Sequence, residues 1–142
     1  MSVKQVSVFV ENRIGVLRDI ARVLEDASVN IRGILAADTG DFGITRLVTD
    51  RPDEAVAALE GAGFTVSSTD VLCIELPDVP GGLCRVFEAL AESGLDVKCA
   101  YSLVSTFVVF MVPDVALAAE QLRDSPVRVV GQDELARLVL AQ

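Results

Sequence analysis

The chain has 142 residues, 51% of them hydrophobic and 5% aromatic, and carries a net charge of −9. This is the composition of a globular chain long enough for one domain or two very small ones. Its acidity argues against a nucleic-acid partner, and no apolar stretch reaches the ~18 residues that a membrane span needs.

The first strand is read from Val6, Val8 and Val10, which alternate with Ser7 and Phe9. Asn12 is the expected N-cap of the helix that follows, with Leu17, Ile20, Ala21, Leu24 and Ala27 as its apolar face. Residues 29–37 read as a strand. Asp38-Thr39-Gly40-Asp41 is rich in turn formers, and Ile44, Leu47 and Val48 belong to the returning strand. Pro52 opens a second helix bearing Ala55, Val56 and Leu59. Gly61 and Gly63 end it, and residues 64–66 close the unit as a strand.

The order then repeats. Residues 71–76 form a strand, and Leu83, Val86, Phe87 and Leu90 stripe a helix. Residues 95–103 and 107–112 form a hairpin, Val115, Ala119 and Leu122 stripe a short helix, and residues 127–130 form a strand. The tail, 133–141, reads as a short helix in preference to an extra edge strand. At one constant spacing Asn12 falls on Asp78, Gly15 on Gly81, Leu17 on Leu83 and Leu24 on Leu90. Later correspondences such as Leu59 with Leu122 and Val66 with Val129 need a net deletion of three residues. The expected fold is α+β: two ferredoxin-like βαββαβ modules, residues 1–68 and 69–142, packed side by side. Each has an antiparallel sheet with its helices on one face. The linker is Ser67 to Asp70, and edge strands could pair between copies.

The loops that join each first strand to its helix hold the candidate site residues. They are Glu11-Asn12-Arg13-Ile14-Gly15-Val16 and Pro77-Asp78-Val79-Pro80-Gly81-Gly82. A helix N-terminus offers N–H donors and partial positive charge to a carboxylate. Glycine admits a ligand close to the backbone, and Asn12 or Asp78 could accept from an ammonium. One end suits an acid and the other an amine, as in an α-amino acid. An ordinary cap and turn would use the same residues, so the chemistry alone leaves both readings open.

The pattern [Asn/Asp]-x-x-Gly-x-Leu between a strand and an amphipathic helix resembles the ACT domain family. Here it reads Asn12-Arg13-Ile14-Gly15-Val16-Leu17 and Asp78-Val79-Pro80-Gly81-Gly82-Leu83. The resemblance runs from about Lys4 to Val130, and the chain looks like a tandem ACT protein without a catalytic domain. It implies amino-acid binding between modules, each first loop facing an edge strand of the other module. One site would then use Asn12, Gly15 and Val16 with Tyr101 and Ser102. The other would use Asp78, Gly81 and Gly82 with Leu35 and Ala36. Tyr101, the sole tyrosine, could select a polar ligand or simply pack.

There is no histidine, no P-loop and no Gly-x-Gly-x-x-Gly motif, so no cofactor is expected. Cys73, Cys84 and Cys99 have no metal-ligand spacing, and no metal site is expected. Cys84, in a helix's first turn, has no histidine base and is expected to be buried and inert; Cys73 and Cys99 read as core residues. The expected protein is a cytoplasmic, non-enzymatic regulator of homodimeric form. It would bind a small molecule, an amino acid above all, and could act on a regulated enzyme, with no nucleic-acid or membrane partner. Two alternatives remain open: an interaction subunit of a biosynthetic enzyme with no ligand site of its own, and a small ferredoxin-fold enzyme.

Overall fold

The computed structural model describes residues 2–38, 40–104 and 106–138. The chain separates into two compact units, one over Lys4–Thr69 and the other from Asp70 onward together with Ser2 and Val3. Ser2 is held by the second unit: its carbonyl accepts from the Gln132 N–H at 3.1 Å, and its hydroxyl donates to Asp70 at 3.3 Å.

The first unit contains β1 (Val3–Glu11), α1 (Val16–Asp26), β2 (Ile31–Asp38), β3 (Phe42–Thr49), α2 (Pro52–Gly61) and the start of β4 (Thr65–Glu75). Its strand order is β2-β3-β1-β4, with β1 and β2 both antiparallel to β3. The second unit continues β4 and adds α3 (Gly82–Glu92), β5 (Cys99–Ser102), β6 (Phe107–Met111), α4 (Val115–Gln121), β7 (Arg128–Val130) and α5 (Gln132–Ala136). There β6 and β7 flank β4, and β5 pairs with β6. Each unit is therefore a ferredoxin-like βαββαβ module.

In each unit both helices cover one face of the sheet. Val6, Val8 and Leu47 meet Val16, Ile20 and Leu24 of α1 and Ala55 and Leu59 of α2. Leu72, Ile74 and Phe110 meet Val86, Ala89 and Leu90 of α3 and Val115 and Ala118 of α4. Each fully buried leucine contributes about 2–3 kcal/mol by leaving water.

Five sequence expectations need correction here. The expected linker, Ser67 to Asp70, lies inside β4, where β-branched Thr65, Val66, Thr69 and Val71 favour a strand and no glycine or proline breaks it. The apolar faces of α1 and α3 are turned from the expected stripes: Val16 and Ala89 are buried, whereas Leu17, Leu83 and Phe87 are nearly half exposed. Ile20 and Leu24, or Val86 and Leu90, fit both phases, so periodicity did not separate them. β5 is shorter than expected, because the chain enters it through a bend where Lys98 pairs with Asp96 at 2.6 Å. Cys84 is exposed, not buried, and its thiol donates to Glu88 at 3.5 Å. The tail helix ends at Ala136, and the last four residues assigned to it or beyond it, 139–142, lie outside the described residues.

Cys73 is fully buried on β4. Burial first, then the nearby Glu134 and Glu75 carboxylates, push its thiol up from 9.0 to about 12. An acid whose pKa is higher folded than unfolded favours the folded state fully below the unfolded value, and that preference is lost on the way up to the folded value. Stability should therefore fall between pH 9 and pH 12, by up to about 1.4 kcal/mol per pH unit from this group. In native protein at pH 8 a thiol reagent should label Cys84 and leave Cys73 untouched until denaturant is added; mass spectrometry of the labelled peptides checks this.

Candidate functional site

Both first loops are built on the same turn. The Val16 N–H donates to the Arg13 carbonyl at 3.4 Å, and the Gly82 N–H donates to the Val79 carbonyl at 3.0 Å. Gly15 (φ 89°, ψ −1°) and Gly81 (φ 85°, ψ −6°) take the left-handed third position of a type II turn. Only glycine adopts this conformation without a penalty. Pro80 stands at the second position, where proline is preset. Ile14 fills that place in the first copy, fully solvent-exposed. Ile14→Pro should thus stabilise the chain by about 0.4–1 kcal/mol, chiefly by restricting the unfolded chain. Chemical denaturation of the two proteins checks it.

Asn12 does not cap α1. Gly15 occupies the N-cap position, and no side chain caps the helix. Asn12 instead fastens the β2–β3 turn to the end of β1: its Nδ2 donates to the Gly40 carbonyl at 2.9 Å, and its backbone N–H donates to the Asp41 carbonyl at 2.8 Å. The N-terminus of α3, behind Gly81, has no side-chain cap either. α4 shows the contrast, since Asp114 accepts from the Leu117 N–H at 3.0 Å. Uncapped first-turn N–H groups are donors aimed outward with the positive end of the helix dipole behind them.

A cavity of about 290 Å³ opens beside the start of α1. Asn12, Gly15 and Val16 line it, with Ala36 of β2 and Thr45 of β3. The register explains the space. Val8, Thr45 and Ala36 sit opposite one another, and Val10 sits opposite Gly43, all on the side of the sheet that α1 covers. Ala36, Gly43 and Thr45 are small, so the sheet leaves a hollow under the first turn of the helix. Leu17 forms an apolar wall, and the Arg13 and Arg18 side chains supply positive charge. Arg13 pairs with Asp19 at 2.9 Å and Arg18 approaches the same carboxylate at 3.6 Å.

Of the residues singled out from the sequence, Asn12, Gly15, Val16 and Ala36 thus meet at one cavity in the first module. Leu35 neighbours Ala36 on β2, opposite Arg46, and is half-buried. In the second module Asp78 is exposed, Gly81 makes the turn, and Gly82 is buried. Tyr101 is buried opposite Val109 on β6, and Ser102 is exposed opposite Val108. The sequence reading missed Arg13, Arg18, Leu17 and Thr45. The two arginines flank Gly15 in the sequence, so asking which cations border the loop would have found them. Thr45 needed the strand register.

A family model described as an ACT domain pair matches residues 1–139. The chain belongs to the ACT domain pair family. Among solved structures, this ACT pair is similar to a protein of Bacteroides thetaiotaomicron: 33% identity, TM-score 0.89, covering 97% of this chain and 98% of that one. The fold is also shared with regulatory subunits of aspartate kinase. For the ligand-free Thermus thermophilus subunit the TM-score is 0.65 at 16% identity, over 87% of this chain and 90% of that one. For the Thermus flavus subunit it is 0.59 at 16% identity, over 87% and 92%. No curated protein sequence matches the chain. Among the described residues no helix is long and apolar enough to cross a membrane, and no group of His, Cys, Asp or Glu could hold a metal ion.

Proposed function

We propose that this ACT pair is a cytoplasmic regulatory protein without catalytic activity, which senses a small molecule of the amino-acid type. The observation that carries the reading is the cavity at the Asn12–Val16 loop. It joins an uncapped helix N-terminus, which suits a carboxylate, to an apolar wall and a buried threonine. Kinship in fold with regulatory subunits supports a role on a separate enzyme. Leu35, Asp78, Gly81, Gly82, Tyr101 and Ser102 remain candidates for ligand contact.

A homodimer is part of the proposal. β2 stands at the end of its strand order, so among the described residues one edge has no neighbouring strand in the module, and Ile34 on it is half exposed. Such edges pair or are protected. Sedimentation should give twice the chain mass.

A thermal-shift panel of the twenty amino acids tests the function. Ligand at about a hundred times its Kd adds roughly 2.7 kcal/mol, which should raise Tm by about 5–10 °C. A flat profile would leave the chain as an interaction subunit with no ligand of its own.

A further inference from the structure

We infer that the first-module cavity selects a small dicarboxylic acid, free or as an acidic amino acid, over neutral and basic amino acids. The inference rests on the proposed sensing function and goes on to name its ligand class. Among the described residues, two guanidinium groups and no carboxylate side chain line the cavity, in a chain with 21 acidic and 12 basic residues. Asp19 is the carboxylate paired with both arginines, which leaves one net positive charge among the three.

The placement of Arg18 is specific. Its Nη2 lies 2.9 Å from where a Cβ on Gly15 would stand, so the guanidinium folds directly over the turn. Positive side chains are disfavoured at a helix N-terminus because the dipole is already positive there. Asp19 offsets part of that cost for Arg18, and a bound carboxylate between the guanidinium and the helix end would offset more. The second module repeats the placement from a different position. Arg85, the fourth residue after Gly81, has its Nη2 4.0 Å from the corresponding point, whereas Arg18 is the third after Gly15. Cys84 occupies the position that matches Arg18. Duplication copies positions, so a guanidinium reaching the same turn from two positions points to the contact itself.

One acid group would take the uncapped N–H donors of α1. The second would take the planar fork of Arg18, with Arg13 beside it, as guanidinium matches carboxylate bidentately. A ligand with a cationic side chain would meet two arginines and, among the described residues, no lining carboxylate.

Calorimetric titration of the full chain tests this with L-aspartate, L-glutamate and succinate against L-asparagine, L-glutamine and L-lysine. We expect at least one diacid to bind ten-fold or more tightly than its uncharged counterpart, with affinity falling as salt rises. Arg18→Gln should weaken that diacid at least ten-fold and leave asparagine and glutamine unchanged, with Arg13→Gln giving a smaller loss. Both residues are exposed, so the variants should fold, and Tm without ligand checks this. Equal or tighter binding of a neutral or basic amino acid would overturn the selectivity and leave the sensing function standing. Diacid affinity unchanged in both variants would also overturn it. No binding by any compound here or in the wider panel would remove the sensing function as well.

Discussion

Gly82→Ala should cost about 3 kcal/mol, near the upper end for a single small substitution. A Cβ on Gly82 would stand 2.1 Å from the Pro77 carbonyl oxygen and 3.3 Å from its carbon. These are backbone atoms at the start of the loop, two residues past the end of β4, so relief requires moving the chain and not merely rotating a side chain. Gly82 is buried in the first turn of α3, where a shift also disturbs the packing of Val86 and Leu90 behind it. Tm should fall by roughly 10 °C. Gly81→Ala is the control. Its neighbour Arg85 is 4.0 Å away, so it meets only the left-handed strain of φ 85°, about 1–2 kcal/mol. Calorimetry of both variants should rank Gly82→Ala as the more damaging. A Gly82→Ala protein that melts within a degree or two of the parent would mean that the Pro77 carbonyl is not packed there.

Ala36→Phe should abolish ligand binding while leaving the fold intact. Ala36 is exposed on β2 and borders the cavity, so a phenyl ring can fill the hollow that Ala36, Gly43 and Thr45 leave under α1. Phenylalanine suits a strand, and the position lies at the sheet edge. Affinity should drop by about a hundred-fold or more, a change near 2.7 kcal/mol. Tm without ligand should stay within about 2 °C of the parent, because no buried group is removed. Comparing ligand-induced Tm shifts of the two proteins measures the effect. An undiminished shift in Ala36→Phe would place the ligand elsewhere.

The element order was legible because it rests on strong local signals: alternation in β1, proline at the start of α2, and glycine after it. The duplication then made each module a check on the other. What could not be read was set by tertiary geometry. Leu17 and Leu83 look like core residues in the motif, yet both are nearly half exposed, because the left-handed glycine before each helix fixes where it starts and hence its phase. Asn12 looks like a cap, but the hairpin turn from Gly40 competes for its side chain. Gly82 was singled out for ligand contact, and the close approach of the Pro77 carbonyl adds a packing reason for glycine that the sequence did not show. Thr45 sits thirty residues from Gly15 in sequence and reaches the cavity only through the β1–β3 and β2–β3 registers. The Cys84 expectation failed because a helix of this amphipathic kind has an open side as well as a covered one, and the phase decides which side a residue takes.

Backbone amide NMR during titration with the compound that most raises Tm tests the ligand site most directly. The N–H groups of Gly15, Val16, Leu17 and Arg18 should shift most, with Ala36 and Thr45 following at the same ligand concentration, and Ala36→Phe should erase all of these changes. Shifts confined to other parts of the chain, with the start of α1 unmoved at saturation, would contradict the account.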